Sequence, residues 1–141
     1  MEIERTGQIR ESQQGFDGTL RSLRRGFRKA GLTIVQQFSL SDRTAARKCV
    51  LLLVDSPLLL FEAVALDRSA AAFLPLHVVV TGDQQQSRVR WGHPMETLGF
   101  RLSPTAAAPV EALYSSLTEV IGAVVSGRTE VESNEGNQTG N

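Results

Sequence analysis

Apolar positions along the chain change their period several times, and each change marks an element. Residues 2–10, EIERTGQIR, alternate weakly with Ile3 and Ile9 on one side, the pattern of a half-buried or edge strand. In GFDGTLRSLRRGFRKAGL, residues 15–32, Phe16, Leu20, Leu23 and Phe27 return at helical spacing. Asp17 is expected to cap that helix's first turn, and Gly31 to take the left-handed conformation that ends it. LTIVQQFSL, residues 32–40, and RKCVLLLVD, residues 47–55, are rich in β-formers and read as strands. Ser56 and Pro57 supply a cap and a first-turn proline for the short helix PLLLFEAVALD. A hairpin, FLPLHVVVTGDQQQSRVRWGHP, occupies residues 73–94. Val110, Leu113, Leu117, Val120, Ile121 and Val124 then line one face of a final helix that Gly127 can terminate.

The order is β-α-β-β-α-β-β-α. It predicts an α+β fold: an antiparallel sheet of about five strands with two main helices packed on one face. The domain is expected to span residues 1–127. Residues 128–141, RTEVESNEGNQTGN, have no aromatic and no long apolar run to offset the entropy of ordering, so a disordered polar tail is expected there.

Register within the hairpin follows from charge. With an even loop, DQQQ, Leu76, Val78 and Val80 share a face with Val89, Trp91 and His93, and the other face carries His77, Val79, Thr81, Arg88 and Arg90. An odd loop would put Arg88 and Arg90 among the apolar set, where unpaired charge is costly, so the even loop is preferred. The two histidines then lie on opposite faces. His93 is expected to be a strand-end residue bonded to backbone, and His77 a solvated or interface residue.

In CVLLLVD, Cys49, Leu51 and Leu53 point one way and Val50, Leu52 and Val54 the other, and all of them are apolar or nearly so. A sheet with helices on one face only should be polar on the second, so something is expected to cover the Leu51 and Leu53 side. A second copy of the chain is the first expectation, giving a homodimer; a small anionic or amphiphilic ligand beside His77, Val79, Arg88 and Arg90 is the other. The alternative is a strand whose two faces are both buried by loops.

Composition narrows the function classes. The 141 residues carry 15 Lys and Arg against 15 Asp and Glu, so the net charge is zero and the strongly basic footprint of a general polyanion binder is absent. Arg21, Arg24, Arg25 and Arg28 do form one stripe at i, i+3, i+4 and i+7, with Lys29 nearby. Without interleaved aromatics, a solvated face is the expectation there and nucleic acid is not the expected partner; nucleic-acid binding through the stripe is kept as a competing reading. The single cysteine, Cys49, excludes a disulfide framework and any multi-cysteine metal site, and a buried, inert thiol is expected. No run of about 18 apolar residues crosses a membrane and no basic-then-apolar leader opens the chain, so the expected location is the cytoplasm.

Phosphate loops, zinc-protease helices and nucleophile elbows are missing, so no metal and no cofactor is expected and a non-enzymatic role is favoured. Asp55, Glu62 and Asp67 are expected to form turns and meet solvent rather than act as acid and base. A ligand or cofactor contact at His77 or His93 is the competing reading.

Three stretches resemble the domain of unknown function 302 family: GFDGTLRSLRRGFRKAGLTIV, VLLLVDSPLLLFEAVALDRSAAAFLPLHVVVTGD and the closing helix. The resemblance implies an α+β fold like that of the TATA-box-binding protein, without implying DNA binding. Two positions depart from the family pattern, Pro75-Leu76 in place of proline-cysteine and His93-Pro94 in place of aspartate-proline. No thiol or carboxylate role is carried over to them.

Overall fold

The computed structural model describes residues 7–41, 44, 46–97 and 102–127. Five strands form one antiparallel sheet: β1 (Gly7–Ser12), β2 (Thr33–Ser39), β3 (Lys48–Asp55), β4 (Leu76–Gly82) and β5 (Ser87–Gly92), in the spatial order β1-β5-β4-β3-β2. The helices are α1 (Phe16–Lys29), α2 (Pro57–Leu66), α3 (Pro94–Thr97) and α4 (Pro104–Val125). The expected α+β order holds, with two additions: a 3-10 segment over Arg68–Phe73 and the single turn α3. The expected strand at residues 2–10 begins later than its alternation suggested, at Gly7, and residues 1–6 lie outside the described residues, as does the expected tail at residues 128–141.

Packing explains the layers. Phe16, Leu20, Leu23 and Phe27 of α1, with Leu113, Leu117, Ile121 and Val124 of α4, close over Val50, Leu52, Val54, Leu76, Val78, Val80, Val89 and Trp91 of the sheet in a single buried cluster. Both main helices therefore lie on one face. A second cluster, built from Ala63, Ala70, Phe73, Leu102, Ala106 and Val110, ties α2 and the 3-10 segment to the first turns of α4. The helix α4 is long and apolar enough by composition to cross a bilayer, and one face of it, with Val110, Leu113, Leu117, Ile121 and Val124, is buried in this core.

Helix ends follow their local chemistry, with one correction. Ser56 Oγ accepts from Leu59 N at 3.4 Å, Ser103 Oγ from Ala106 N at 3.3 Å, and a proline opens each of those helices. Asp67 Oδ1 accepts from Ser69 N at 2.9 Å and so caps the 3-10 segment. Gly31 and Gly127 take φ of +79° and +71°, the left-handed conformation expected of them. Asp17, in contrast, does not cap α1. The cap position is Gly15, which has no side chain to offer, and the exposed first amide is met from elsewhere: Phe16 N donates to the Asp83 carbonyl of the β4–β5 loop at 2.7 Å. Asp17 sits within the first turn, where its charge still suits the helix dipole.

Three buried hydroxyls join β1, α1 and β5. Thr19 Oγ1 donates to Ser12 Oγ at 3.0 Å and lies 2.7 Å from Ser87 Oγ, which is also 3.0 Å from the Gln14 carbonyl. Ser12 and Ser87 are direct cross-strand partners. Polar residues here satisfy one another inside an apolar layer.

Candidate functional site

The face of the sheet turned away from α1 and α4 holds the expected site residues. Its geometry comes from register, because cross-strand partners share a face. The hairpin is the even-loop one: Thr81 pairs with Arg88, Val80 with Val89 and Val79 with Arg90, around the loop Asp83 to Gln86. Following partners across all five strands gives one line of residues, Ile9, Arg90, Val79, Leu51 and Phe38. A second line runs Glu11, Arg88, Thr81, Cys49, and Leu40 N donates to the Cys49 carbonyl at 2.8 Å at its end. A third joins His77, Leu53 and Gln36.

The face is therefore divided. Over β2, β3 and β4 it is apolar, with Leu51, Leu53 and Val79 half-buried among neighbours and Phe38 and Leu40 left 43% and 58% exposed at the edge. Over β5 and β1 it is charged. Arg88 Nη2 meets Glu11 Oε2 at 3.2 Å, an exposed pair worth little in isolation. Burial of the Leu51 side by loops is not what the described residues show. Phe38, Leu40, Ile9 and Glu11 belong to this surface although the strand reading had not assigned them. The alternation of Gln36, Phe38 and Leu40 was the available signal, obscured by a register shift between Ile34 and Gln36 that leaves Val35 outside the pairing.

His77 and His93 do not converge. His77 is exposed on the open face, opposite Leu53. His93 lies past the end of β5 with both ring nitrogens occupied: Met95 N donates to Nδ1 at 3.1 Å, and Nε2 lies 2.7 Å from Glu111 Oε1. An accepting Nδ1 places the proton of the neutral ring on Nε2, pointing at the carboxylate. The ring also lies 4.5 Å from that of Tyr114, whose hydroxyl accepts from Gln8 Nε2 at 2.6 Å. Trp91 Nε1 donates to Thr118 Oγ1 at 3.0 Å. Glu111, Tyr114 and Thr118 form a polar seam at i, i+3 and i+7 of α4, and it orients His93 as part of the α4–sheet junction. A cleft of about 220 Å³ beside His77, lined by Phe73 to Leu76, Gly92 and Pro94, is below the size of ordinary ligand pockets.

Other candidates separate likewise. Cys49 is half-buried on the open face, which corrects the buried thiol expected from its apolar strand. Of the basic stripe, Arg21, Arg24 and Arg28 are exposed and Arg25 is half-buried; the Arg24 guanidinium donates to Gln37 Oε1 of β2. Glu62 is exposed on α2, and Asp67 serves as a cap. Among the described residues, no three His, Cys, Asp or Glu side chains gather as metal ligands would.

Asp55 departs from the expected solvated turn. It is buried at the end of β3, and burial raises its pKa, while the bond from Ser56 N to Oδ1 at 2.7 Å works in the opposite direction. A carboxyl with a raised folded pKa is easier to protonate in the native state. Its ionisation therefore costs stability above that pKa, and the cost is relieved as pH falls. Asp55→Asn keeps an acceptor for Ser56 N and is expected to raise the Tm at neutral pH, with the advantage shrinking in acid. Thermal melts of both proteins across pH check this; a variant less stable at neutral pH would mean that the charge-assisted bond outweighs desolvation. Asp83 behaves oppositely, its pKa lowered by amides of Gln85 and Gln86 that donate to Oδ1 at 2.9 and 3.0 Å.

Comparison with known proteins gives a family and no chemistry. No curated protein matches the chain. A crystal structure of an uncharacterized conserved DUF302 protein from Bacillus stearothermophilus superposes with a TM-score of 0.73 at 16% identity, covering 84% of this chain and 97% of that one, which establishes a common fold. The family profile described as a domain of unknown function, DUF302, matches residues 8–124, a span running from β1 to the last turn of α4. With its strands, hairpin and both main helices inside that match, the chain belongs to the DUF302 family.

Proposed function

We propose that the protein is a non-enzymatic binding module that associates with a second copy of itself through the open sheet face. The observation that carries this reading is the apolar half of that face: Phe38, Leu40, Leu51, Leu53 and Val79 lie side by side over three strands, with no helix of the described chain upon them. Apolar area of this kind is more stable out of water, at about 25 cal/mol per Å² removed. Its division supports a two-fold arrangement. Copies that lap their β2–β4 halves bury apolar surface while Arg88, Arg90 and Glu11 stay at the wet rim. The lone cysteine suits a reducing compartment such as the cytoplasm.

Leu51→Glu tests the reading, since Leu51 sits mid-line and half-exposed, where a carboxylate is tolerated by the free fold and not by a dry interface. Native mass spectrometry at micromolar concentration is expected to show a dimer for the wild type and a monomer for the variant, with similar Tm values by calorimetry. A wild-type monomer would overturn the reading. Were that monomer to carry a small molecule lost from Leu51→Glu, the same face would be a ligand site instead.

A further inference from the structure

The two edges of the sheet are unlike. Edge strand β1 carries Arg10 and Glu11, charges of the kind that discourage pairing with another strand. Edge strand β2, TIVQQFS, carries no charge and no proline, and every residue of it but Ile34 is exposed. Its backbone is open as well. Leu40 N donates to the Cys49 carbonyl at 2.8 Å, and inward and outward groups alternate along an antiparallel ladder. Gln36, Phe38 and Leu40 therefore turn their N–H and C=O groups toward β3, while Gln37 and Ser39 turn theirs away from the sheet. Those outward groups are what a further strand would pair with.

The flanking side chains select what that strand can be. Arg24 and Arg28 of α1, one helical turn apart and both exposed, border a groove of about 370 Å³ that Leu32, Thr33 and Ile34 also line. The Arg24 guanidinium donates to Gln37 Oε1 of β2 and has further donors beyond that one. On the open side stand the exposed Phe38 and Leu40. A strand laid along β2 meets cations on one face and apolar groups on the other, so the sequence that fits alternates carboxylate with apolar residue. Carboxylates two residues apart on a strand stand about 6.6 Å from each other, close to the roughly 5–6 Å between residues at i and i+4 of a helix. In antiparallel pairing the carboxylate residues share the helix face with Gln37 and Ser39, so their own amides are the ones turned toward β2. A second β2 does not meet these terms, since it offers no carboxylate and antiparallel self-pairing about Gln37 would bring the two Arg24 guanidinia together.

We infer that β2 is a docking edge for an extended acidic segment of a partner protein, which pairs antiparallel with Gln37 and Ser39, sets its carboxylates on Arg24 and Arg28, and lays its apolar side chains beside Phe38 and Leu40. Association through the open face is a separate matter, because the arginines lie on the helix side and the outward amides at the rim of the sheet.

Fluorescence anisotropy with a labelled synthetic peptide of about eight residues, alternating glutamate with valine, tests the docking edge. The peptide is expected to bind wild-type protein at low salt, and at least about tenfold more weakly at molar salt. Lysine in place of its glutamates is expected to abolish binding, and so is N-methylation of the glutamate amides, which keeps the charge and removes the donors. On the protein side, S39P removes an outward N–H without touching the pairing with β3, and is expected to weaken binding at least about tenfold. R24E/R28E is expected to lose the glutamate peptide and to bind the lysine peptide instead. No binding of the glutamate peptide to the wild type, or equal binding of its N-methylated form, would overturn the proposal. So would an oligouridylate that binds more tightly than the peptide and equally well to S39P, because the arginines would then serve a phosphate chain. Arg24, Arg28 and Ser39 are exposed, and Tm values matching the wild type confirm an intact fold. Should S39P melt low, the exchange of peptide preference in R24E/R28E carries the test by itself.

Discussion

Leu52→Ala is expected to cost about 2–5 kcal/mol in a urea or thermal melt, whereas its neighbour Leu51→Ala costs less than about 1 kcal/mol. The two residues are chemically identical and adjacent on the same strand. Leu52 is fully buried beneath α1 and α4, and truncation there leaves a cavity that rigid neighbours on three sides cannot fill. Leu51 faces away, half-exposed over the open face, and its loss removes contact without leaving a void in the monomer. The comparison is made under conditions that favour monomer, so that association through Leu51 does not add to the measured stability. Equal costs would mean that the open face is as closely packed as the core, contrary to the layer arrangement described above.

Gly15→Ala should be nearly as damaging, at about 2–4 kcal/mol, although it adds a single methyl group. The backbone at Gly15 is ordinary, with φ of −71° and ψ of 174°, so strain in the dihedrals is not the cause. Space is the cause: a Cβ there would lie 2.2 Å from the Gln84 carbonyl oxygen and 2.6 Å from its carbon. Main chain cannot rotate away as a side-chain tip can. Either the hairpin loop or the start of α1 must shift, and the bond from Phe16 N to the Asp83 carbonyl is lost with it. Chemical denaturation measures the cost; a change below about 0.5 kcal/mol, the range of surface substitutions, would show that the loop yields freely.

Much of the fold was legible before the structure. Helices α1 and α4 follow from periodic leucines and phenylalanines, and α2 from Ser56-Pro57. The hairpin register follows from the parity of Arg88 and Arg90, a local argument that needed no knowledge of the rest of the chain. What stayed hidden depends on distant neighbours. Asp17 looked like the cap because it is the nearest carboxylate to the helix start, while the true solution uses a loop carbonyl 67 residues further along. His93 looked like a simple strand end, and Glu111, its partner, stands 18 residues away on α4. The face of Phe38 was illegible for a different reason: one unpaired residue, Val35, reverses the parity of everything after it in β2.

The position of β1 also sets an order of events. Strands β2 to β5 pair with near neighbours in the chain, but β1 must find β5, and Gly7 pairs with Gly92 across most of the folded sequence. Closing so long a loop spends entropy before any contact returns it, so this pairing belongs late in folding and places the domain toward the slower end of small α+β proteins. On a ribosome the consequence is stricter. The segment holding β1 emerges before the other strands of the domain and waits, without its partner strand, until residues past Gly92 have emerged. During that interval the charged Arg10 and Glu11 are its safeguard against pairing with the wrong chain.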